Sequence, residues 1–574
     1  MKKRFVTPVL TIVISLGVFL SSTVFAFPRF DEGMFTPDKI KDLNLAKRGL
    51  KIKPNDIYNP AVGGISEAVI RLDSGCTGEF VSPQGLILTN HHCGYDALVS
   101  ASTKERNYAD IGFKAHSMKE EIPAKDYSIS IPIRVEDVTS RVMAGTEGLT
   151  GEALAAAIIT NTTKIEVEES TKAAKGNTVQ VSSVNDGYFY YLYENKQIRD
   201  IRMVYAPPAS IGNFGGDPDN FEWTRHTGDF SFLRAYVAPD GSSAQYSPNN
   251  VPFKPRKFLT VSLNGVNEND FVFVLGNPGG TTRYRESQSI SYAEEVNFPF
   301  LYQYLTAWIG GLEKVGEQNE DKRISLQSFV AQLRNGQKLY GGSSTALRRG
   351  DAVAKRKADE IKFQTWAVGT PTHRAEYGGL LSEISAIWKK TNSSPARDRL
   401  LRTVPSNGNS PVYTSFINAV TSANSGADLT EKGKAQIEAA YNNREPIVER
   451  GMLRFLFSQM EQLPENQRFA EADNILAAPG SADKLMAQLL DSGDFDTPEK
   501  IFAIYSMKPS EILAKWGDLA KLAIAQGNER INIQVRNMEF AEAITPLRLR
   551  YLRGMSEMQK ITPYPDANFT QRFT

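Results

Sequence analysis

Cysteine and histidine are scarce in this chain: two cysteines and five histidines in 574 residues. No CxxC and no HExxH spacing occurs, so the paired ligand patterns that close a zinc site are missing. An excess of one charge is missing too. The 66 Lys and Arg against 65 Asp and Glu leave a formal net charge of +1, so no strong field favours nucleic acid or an acidic surface. Gly/Ser-rich linkers, low-complexity runs and solenoid-like repeats are absent. Beyond the first 26 residues no apolar run approaches the ~20 residues that span a bilayer.

What is there is an ordinary globular composition, 41% hydrophobic and 10% aromatic. The length is too great for one core, so roughly two to four domains are expected. Lys2, Lys3 and Arg4 precede an apolar run over residues 9–20, and "SSTVFA" then offers small residues before a cut after Ala26. Residues 1–26 therefore read as a cleavable signal peptide. The rival reading, an uncleaved anchor, suffers from an apolar core short for a spanning helix. The expectation is a mature protein exported to the periplasm, with no membrane segment and with a disulfide permitted.

Residues from about 63 to 284 look β-rich. In "YSISIPIRV", Ile129, Ile131, Ile133 and Val135 alternate onto one face, as in a half-buried strand. "NTVQVSSV" and "GYFYYLY" are β-branched or aromatic, and "NDFVFVLGNPGG" reads as a buried strand entering a turn. After Tyr284 the texture becomes helical. "SEILAKWGDLAKLAI" sets Ile512, Leu513, Trp516, Leu519 and Ala523 on one stripe, with Ser510 as N-cap. "EKGKAQIEAAYNNREPIVERGMLRFLFSQMEQL" and "ADKLMAQLL" read the same way, and "ITPYPDANFTQRFT" turns β-like again. A β part that gives way to helices and then resumes implies an insertion.

The chemistry concentrates in "LTNHHCGYDA", residues 88–97, which holds His91, His92 and Cys93. A metal site is disfavoured, because adjacent histidines in a strand point to opposite faces and only Cys76 remains as a second thiol. A redox pair is disfavoured because the cysteines are not close in sequence. A structural disulfide fits better. Cys76 and Cys93 lie seventeen positions apart, and "FVSPQGLILTN" between them reads as strand, turn, strand. Such a bridge stabilises by about 4 kcal/mol at most. A T-x-x-H-C hairpin end bridged back in this way is also the histidine corner of chymotrypsin-like peptidases. The competing reading is two histidines at a polar strand end. A second stretch, "IGNFGGDPDNFEWTRHTGDFSFLRAY" over residues 211–236, contains His226 and Asp229.

Together the two stretches resemble one family, the bacterial dipeptidyl peptidases 7 and 11, which are chymotrypsin-clan serine exopeptidases. "FDEGMF", "DYSISIPIRVEDVT", "VLGNPGGTTRY" and "NGQKLYGG" add to the likeness, which covers everything after the signal peptide and is looser in the helical part. The resemblance implies an α+β multidomain fold: a chymotrypsin-like double β-barrel with a large inserted α-helical domain. Residues 27–284 would be the N-terminal β-barrel part, 285–559 the inserted helices, and 560–574 the start of an incomplete second barrel.

By resemblance, His92 is the general base and Asp229 the carboxylate that orients it; Asp217 and Asp219 are rivals, but the match to "RHTGD" favours Asp229 and the other two read as turn carboxylates. Asn220 matches a residue that holds the substrate's free α-amino group. Phe221 stands where the family usually has Trp, so an aromatic face is kept and an indole donor lost. Asn335 aligns with a helical residue reaching the same amino group; a helix-surface Asn is the alternative. No cofactor and no metal is implied. The implied partners are oligopeptides with a free N-terminus and, when full length, a second copy of the chain.

The family's nucleophile lies in "GGNSGSPV", beyond a "YPDANxTxRxTYG" stretch. Here "YPDANFTQRFT" ends the sequence, and no Gly-x-Ser-Gly occurs. Ser410 in "NGNSPVY" lacks the Gly–Ser pair for an oxyanion hole, and Ser343 falls in the amine-binding helical segment. The expectation is an incomplete, inactive fragment of a serine-type dipeptidyl peptidase. Its "DFVFVLGNPGG" would be an unpaired apolar edge strand. The alternatives are a non-catalytic periplasmic peptide-binding protein and a metal hydrolase using His91, His92 and Asp229.

Overall fold

The computed structural model describes residues 33–149 and 151–574, so the signal-peptide reading of residues 1–26 lies outside the described residues. The fold is α+β. Strands cluster before residue 253 and helices fill Ser287 to Gln559.

The β part is built from β1 (Val69–Leu72), β2 (Thr77–Phe80), β3 (Leu86–Thr89), β4 (Phe113–Lys114), β5 (Ile122–Pro123), β6 (Ile129–Asp137), β7 (Asn177–Val184), β8 (Phe189–Ile198), β9 (Asp200–Ala206), β10 (Ser231–Val237) and β11 (Val251–Pro252). They form one sheet with the path β4-β9-β10-β3-β2-β1-β6-β8-β7, with β5 and β11 pairing off it. The pairs are antiparallel. The centre of the sheet is thus a run of hairpins, the connection that needs the fewest residues.

The expected stripe in β6 is split. Ile129 and Ile131 enter one core with Ile70, Leu72, Phe80, Ile87 and Leu233, whereas Val135 packs in another with Tyr191 and Tyr193. The cause is an irregularity between Pro132 and Arg134. Proline cannot donate to the ladder, and one extra residue there re-aims the rest of the strand.

The β-rich reading of residues 63–284 missed a helix, Gly151–Lys172, which buries only Ile165 and Glu169. Glu169 accepts from Arg134 at 2.8 Å and Arg141 at 3.1 Å, so charge as much as apolar surface ties this helix to the sheet. Its hydrophobic residues do not form one face, so periodicity gave no signal.

The "NDFVFVLGNPGG" expectation is corrected. Only Leu275–Gly276 (β12) is strand, and it is not an unpaired edge: it pairs with Arg572–Phe573 (β13). Val272 and Val274 are 65% and 63% exposed, whereas Phe271, Phe273 and Leu275 pack with Ile40, Leu45, Ile57 and Phe573. The run is half-buried by alternation.

The residues after the helices return to the β part. Gln571 donates to the carbonyls of Ser66 and Val69 at 2.8 and 3.0 Å, and Asp566 accepts from Thr281 at 2.7 Å. The two flanks of the helical stretch are therefore neighbours, as an insertion requires.

The helices share a large core that includes Tyr413, Phe416, Leu453, Phe457, Trp516 and Leu519. The long "EKGKAQ…" segment is two helices, Glu431–Asn442 and Pro446–Glu461, the second starting at a proline. The Pro509–Gln559 stretch is two helices that meet at a kink at Gly517; in it Ile512, Trp516, Leu519 and Ala523 are buried, but Leu513 is 39% exposed and leaves the stripe. The cap is Lys508, whose backbone N–H donates to Glu511 at 3.1 Å; Ser510 lies inside the first turn after Pro509. Among the described residues, no helix is long and apolar enough to cross a membrane.

Candidate active site

The register of the sheet builds the centre of the site. β10 pairs with β3 so that Ser231 faces Thr89. Continuing that pairing past both strand ends brings Asp229 beside residues 90–92. The chain leaves β3 through an extended Asn90 and starts a helix, His91–Ser100. This corrects the strand geometry assumed for the two histidines: they occupy a first helical turn. Ser231 Oγ donates to the Asn90 carbonyl at 2.8 Å, and Asn90 Nδ2 donates to the Asp229 carbonyl at 3.1 Å.

Asp229 accepts twice from His92, from the backbone N–H at 3.1 Å and from Nδ1 at 2.9 Å. A carboxylate is favourable at a helix N-terminus, where backbone N–H groups lack helical partners. Burial pushes the Asp229 carboxyl up, but its hydrogen bonds from His92 outweigh this, and it lies below its ordinary value of 3.8. With Nδ1 turned to the carboxylate, Nε2 is the ring nitrogen left free of it. The His92 side chain is 66% exposed, so Nε2 is open to a proton donor.

Cys93 follows His92 and is bonded to Cys76, with Cα atoms 6.2 Å apart. The bridge ties the first turn of the helix to the residue before β2, as expected. Cys76, His92 and Cys93 group three potential ligand atoms within 4.8 Å. Both sulfurs are spent in the disulfide, so this cluster has only an imidazole left to offer a metal. His91 turns inward and is 2% exposed. A Cβ on Gly212 would stand 2.3 Å from the His91 ring, so only glycine allows this approach. Burial pushes His91 below its ordinary value. It forms part of the cleft wall.

The loop after β9 carries the rest. Asn220 Nδ2 donates to Asn335 Oδ1 at 2.9 Å, which joins the two residues expected to meet a substrate amine. Asn335 lies on the Glu320–Arg349 helix and is more than a surface residue: it lines a cleft of about 210 Å³ with His91, His92, Asn220, Arg225 and Asp229. The helix docks through Arg334 on Asp217 at 2.8 Å and Lys338 on the Pro218 carbonyl at 2.8 Å. Asp217 is therefore an ion-pair partner of the helical part, and Asp219 packs against Gly215; neither contacts His92. Phe221 is 59% exposed and does not line the cleft.

Sequence reasoning missed three contributors. Arg225 donates to Asn220 Oδ1 at 3.4 Å, and Ser328, in the cleft wall, donates to Asp96, which does not line the cleft. Arg225 stood inside the quoted "RHTGD" motif, but Asp96 and Ser328 have no sequence signal that joins them. The hydroxyls lining the cleft are those of Ser328 and Tyr95. Ser410 is fully buried, bonded to Asn409 at 2.8 Å where the Pro411–Ser425 helix starts. Ser343 follows Asn335 by eight residues on its helix, about 12 Å along the axis, and does not line the cleft.

A base oriented by a carboxylate, beside a polar pair able to receive an amine, matches acyl transfer from an amino-terminal peptide. Comparisons with known proteins point the same way. A family model described as Peptidase S46 matches residues 30–574. A dipeptidyl-peptidase 7 of Capnocytophaga gingivalis is 30% identical over 590 residues, covering 99% of this chain and 79% of the relative. An Asp/Glu-specific dipeptidyl-peptidase of the same organism is 35% identical over 364 residues, 62% of this chain and 50% of the relative. The crystal structure of Porphyromonas endodontalis DPP11 with the dipeptide Arg-Asp superposes with a TM-score of 0.76 at 26% identity, covering 95% of this chain and 80% of that one.

Proposed function

The chain belongs to the peptidase S46 family, and from that membership we propose that its cleft serves the serine-type release of dipeptides from the free N-terminus of oligopeptides. The observation that carries the reading is the 2.9 Å contact of His92 Nδ1 with Asp229 inside a cleft that also holds the Asn220–Asn335 pair. His92 Nε2 takes the proton of a serine hydroxyl as the serine attacks the second peptide carbonyl. It then returns that proton to the leaving amine, and water completes the cycle through the same base. Asp229 stabilises the imidazolium formed in between. Asn220 and Asn335 hold the substrate ammonium, which sets the count of two residues.

The serine is not one of the hydroxyls lining the described cleft, since Ser328 is bonded to Asp96 and Tyr95 is a phenol. The nucleophile belongs instead to the second β-barrel that the likeness to the family implies. Export to the periplasm and a dimeric full-length form belong to the same proposal. The alternative is a peptide-binding protein with no nucleophile anywhere.

Calorimetry with a tripeptide and its N-acetylated form is the test for this chain. The free-amine peptide binds, the acetylated one does not, and Asn220→Ala weakens binding about tenfold or more. Equal binding of both peptides refutes the amine reading. In a serine-containing form, His92→Ala lowers dipeptide release by about ten-thousandfold. Unchanged release refutes the base assignment, and binding without release in every form supports the alternative.

A further inference from the structure

A second cavity, of about 650 Å³, lies within the helical part and shares no lining residue with the His92 cleft. It is bounded by the Pro411–Ser425 helix, by Arg402 near the end of the Pro395–Thr403 helix, and by residues 527–541 of the long final helix. Its size is that of a small-molecule site. Its walls combine apolar groups, among them Ile417, Ile533 and Met538, with two arginines, Arg402 and Arg530. No Asp or Glu lines it.

The two arginines stand out against their neighbours. Arg397 and Arg536 pair with Glu529 at 2.9 Å, and Arg536 reaches Asp398 at 2.9 Å. Among the described residues, no carboxylate pairs with Arg402 or Arg530. One Arg530 nitrogen, Nη1, is buried with no hydrogen-bond partner, and so is the Thr421 hydroxyl in the same wall. Burial draws the Arg530 guanidinium down from its ordinary range, with only Tyr413 opposing. A half-buried guanidinium without a counter-charge is unfavourable, and an oxyanion entering the cavity beside Arg530 would supply one.

We propose that this cavity binds a small amphiphilic oxyanion. A carboxylate or phosphate head is held by Arg402 and Arg530, and a short apolar tail lies against Ile531 and Met538, each 52% exposed in the cavity wall. Arginine's planar fork matches either head group. The opposing reading is a groove filled by water alone.

Thermal unfolding and calorimetry on the whole chain separate the two, with octanoate, octyl phosphate and neutral octanol as probes. The expected result is binding of one or both anions at roughly millimolar concentration or below and none of octanol. Stronger binding of octanoate assigns a carboxylate ligand, and stronger binding of octyl phosphate a phosphate. Arg530→Gln abolishes the effect, and without ligand it leaves the midpoint unchanged or higher, because an unpaired cation is removed. Arg402→Gln, at an exposed position, weakens anion binding about tenfold. Equal binding of octanol, no binding of either anion, or full binding by Arg402→Gln overturns the proposal.

Discussion

The Cys76–Cys93 bridge closes a loop of seventeen positions that contains the β2–β3 hairpin and His92. Replacing both cysteines by serine removes it without leaving a lone thiol. Loop-closure entropy for that length stabilises the folded state by about 3 kcal/mol. Cys93 is 6% exposed, and a serine hydroxyl in its place costs about 1 kcal/mol more. Other contacts keep the segment in place: Tyr127 on the Cys93 carbonyl at 2.9 Å, Ser231 on that of Asn90 at 2.8 Å, and His92 on Asp229. The variant should therefore keep its structure and lose stability. A loss of roughly 4 kcal/mol is about a thousandfold in an opening equilibrium. Amide hydrogen exchange, measured where closing outruns exchange, reads it directly. Amides of β3 and the His91–Ser100 helix should exchange about a hundredfold to a thousandfold faster, while the Pro411–Ser425 helix, in a different core, stays within about threefold. Acceleration of less than tenfold in residues 86–100, or an equal acceleration in both places, would refute the reasoning.

Two pH dependences follow from half-buried carboxyls. Glu79 has no hydrogen-bond partner among the described residues, and burial pushes it up to about 7 from 4.5. Folding then takes up a proton between those values, so stability falls as pH rises from 4.5 to 7. Glu79→Gln should stabilise the protein in denaturant titrations at pH 8 and not at pH 4, and an equal effect at both pH values would contradict the burial argument. Asp229 shifts the other way, so its stabilisation is full above its ordinary 3.8 and lost as pH falls through the lower folded value. Thermal midpoints of Asp229→Asn should lie below those of the parent at neutral pH and converge with them in acid; a gap that widens in acid rejects the assignment.

Much of the site was legible because it is written in contiguous words. "TNHHC" and "RHTGD" each carry a turn, a functional side chain and its neighbours, so His92, Asp229 and the disulfide could be named from the residues and their likeness to a family. Asn220 and Asn335 could be named but not joined, because 115 positions separate them and only the docking of Arg334 and Lys338 on residues 217–218 brings them to 2.9 Å. The strand assignment for His91 and His92 failed at the point where β3 stops. A helix of ten residues with no apolar periodicity leaves no trace in a hydrophobic pattern, and the Gly151–Lys172 helix escaped for the same reason.

Sequence alone determined the order of the parts: a β-rich segment, a long helical one and a β-like return. Alternation and helical stripes follow from which face meets water, and that is local information. It also determined which residues could carry chemistry. Tertiary structure decided their geometry. Likeness to a family favoured Asp229 over Asp217 and Asp219, and the β3–β10 register supplied the contact itself, setting Asp229 against His92 and leaving Asp217 to Arg334. Leu513 and Ile512 show the same limit, since both fit the stripe and only packing against the other helices buries one and exposes the other. The unpaired arginines of the second cavity belong wholly to the fold. Whether a cation has a partner depends on which helices cross it, and that is settled by long-range packing.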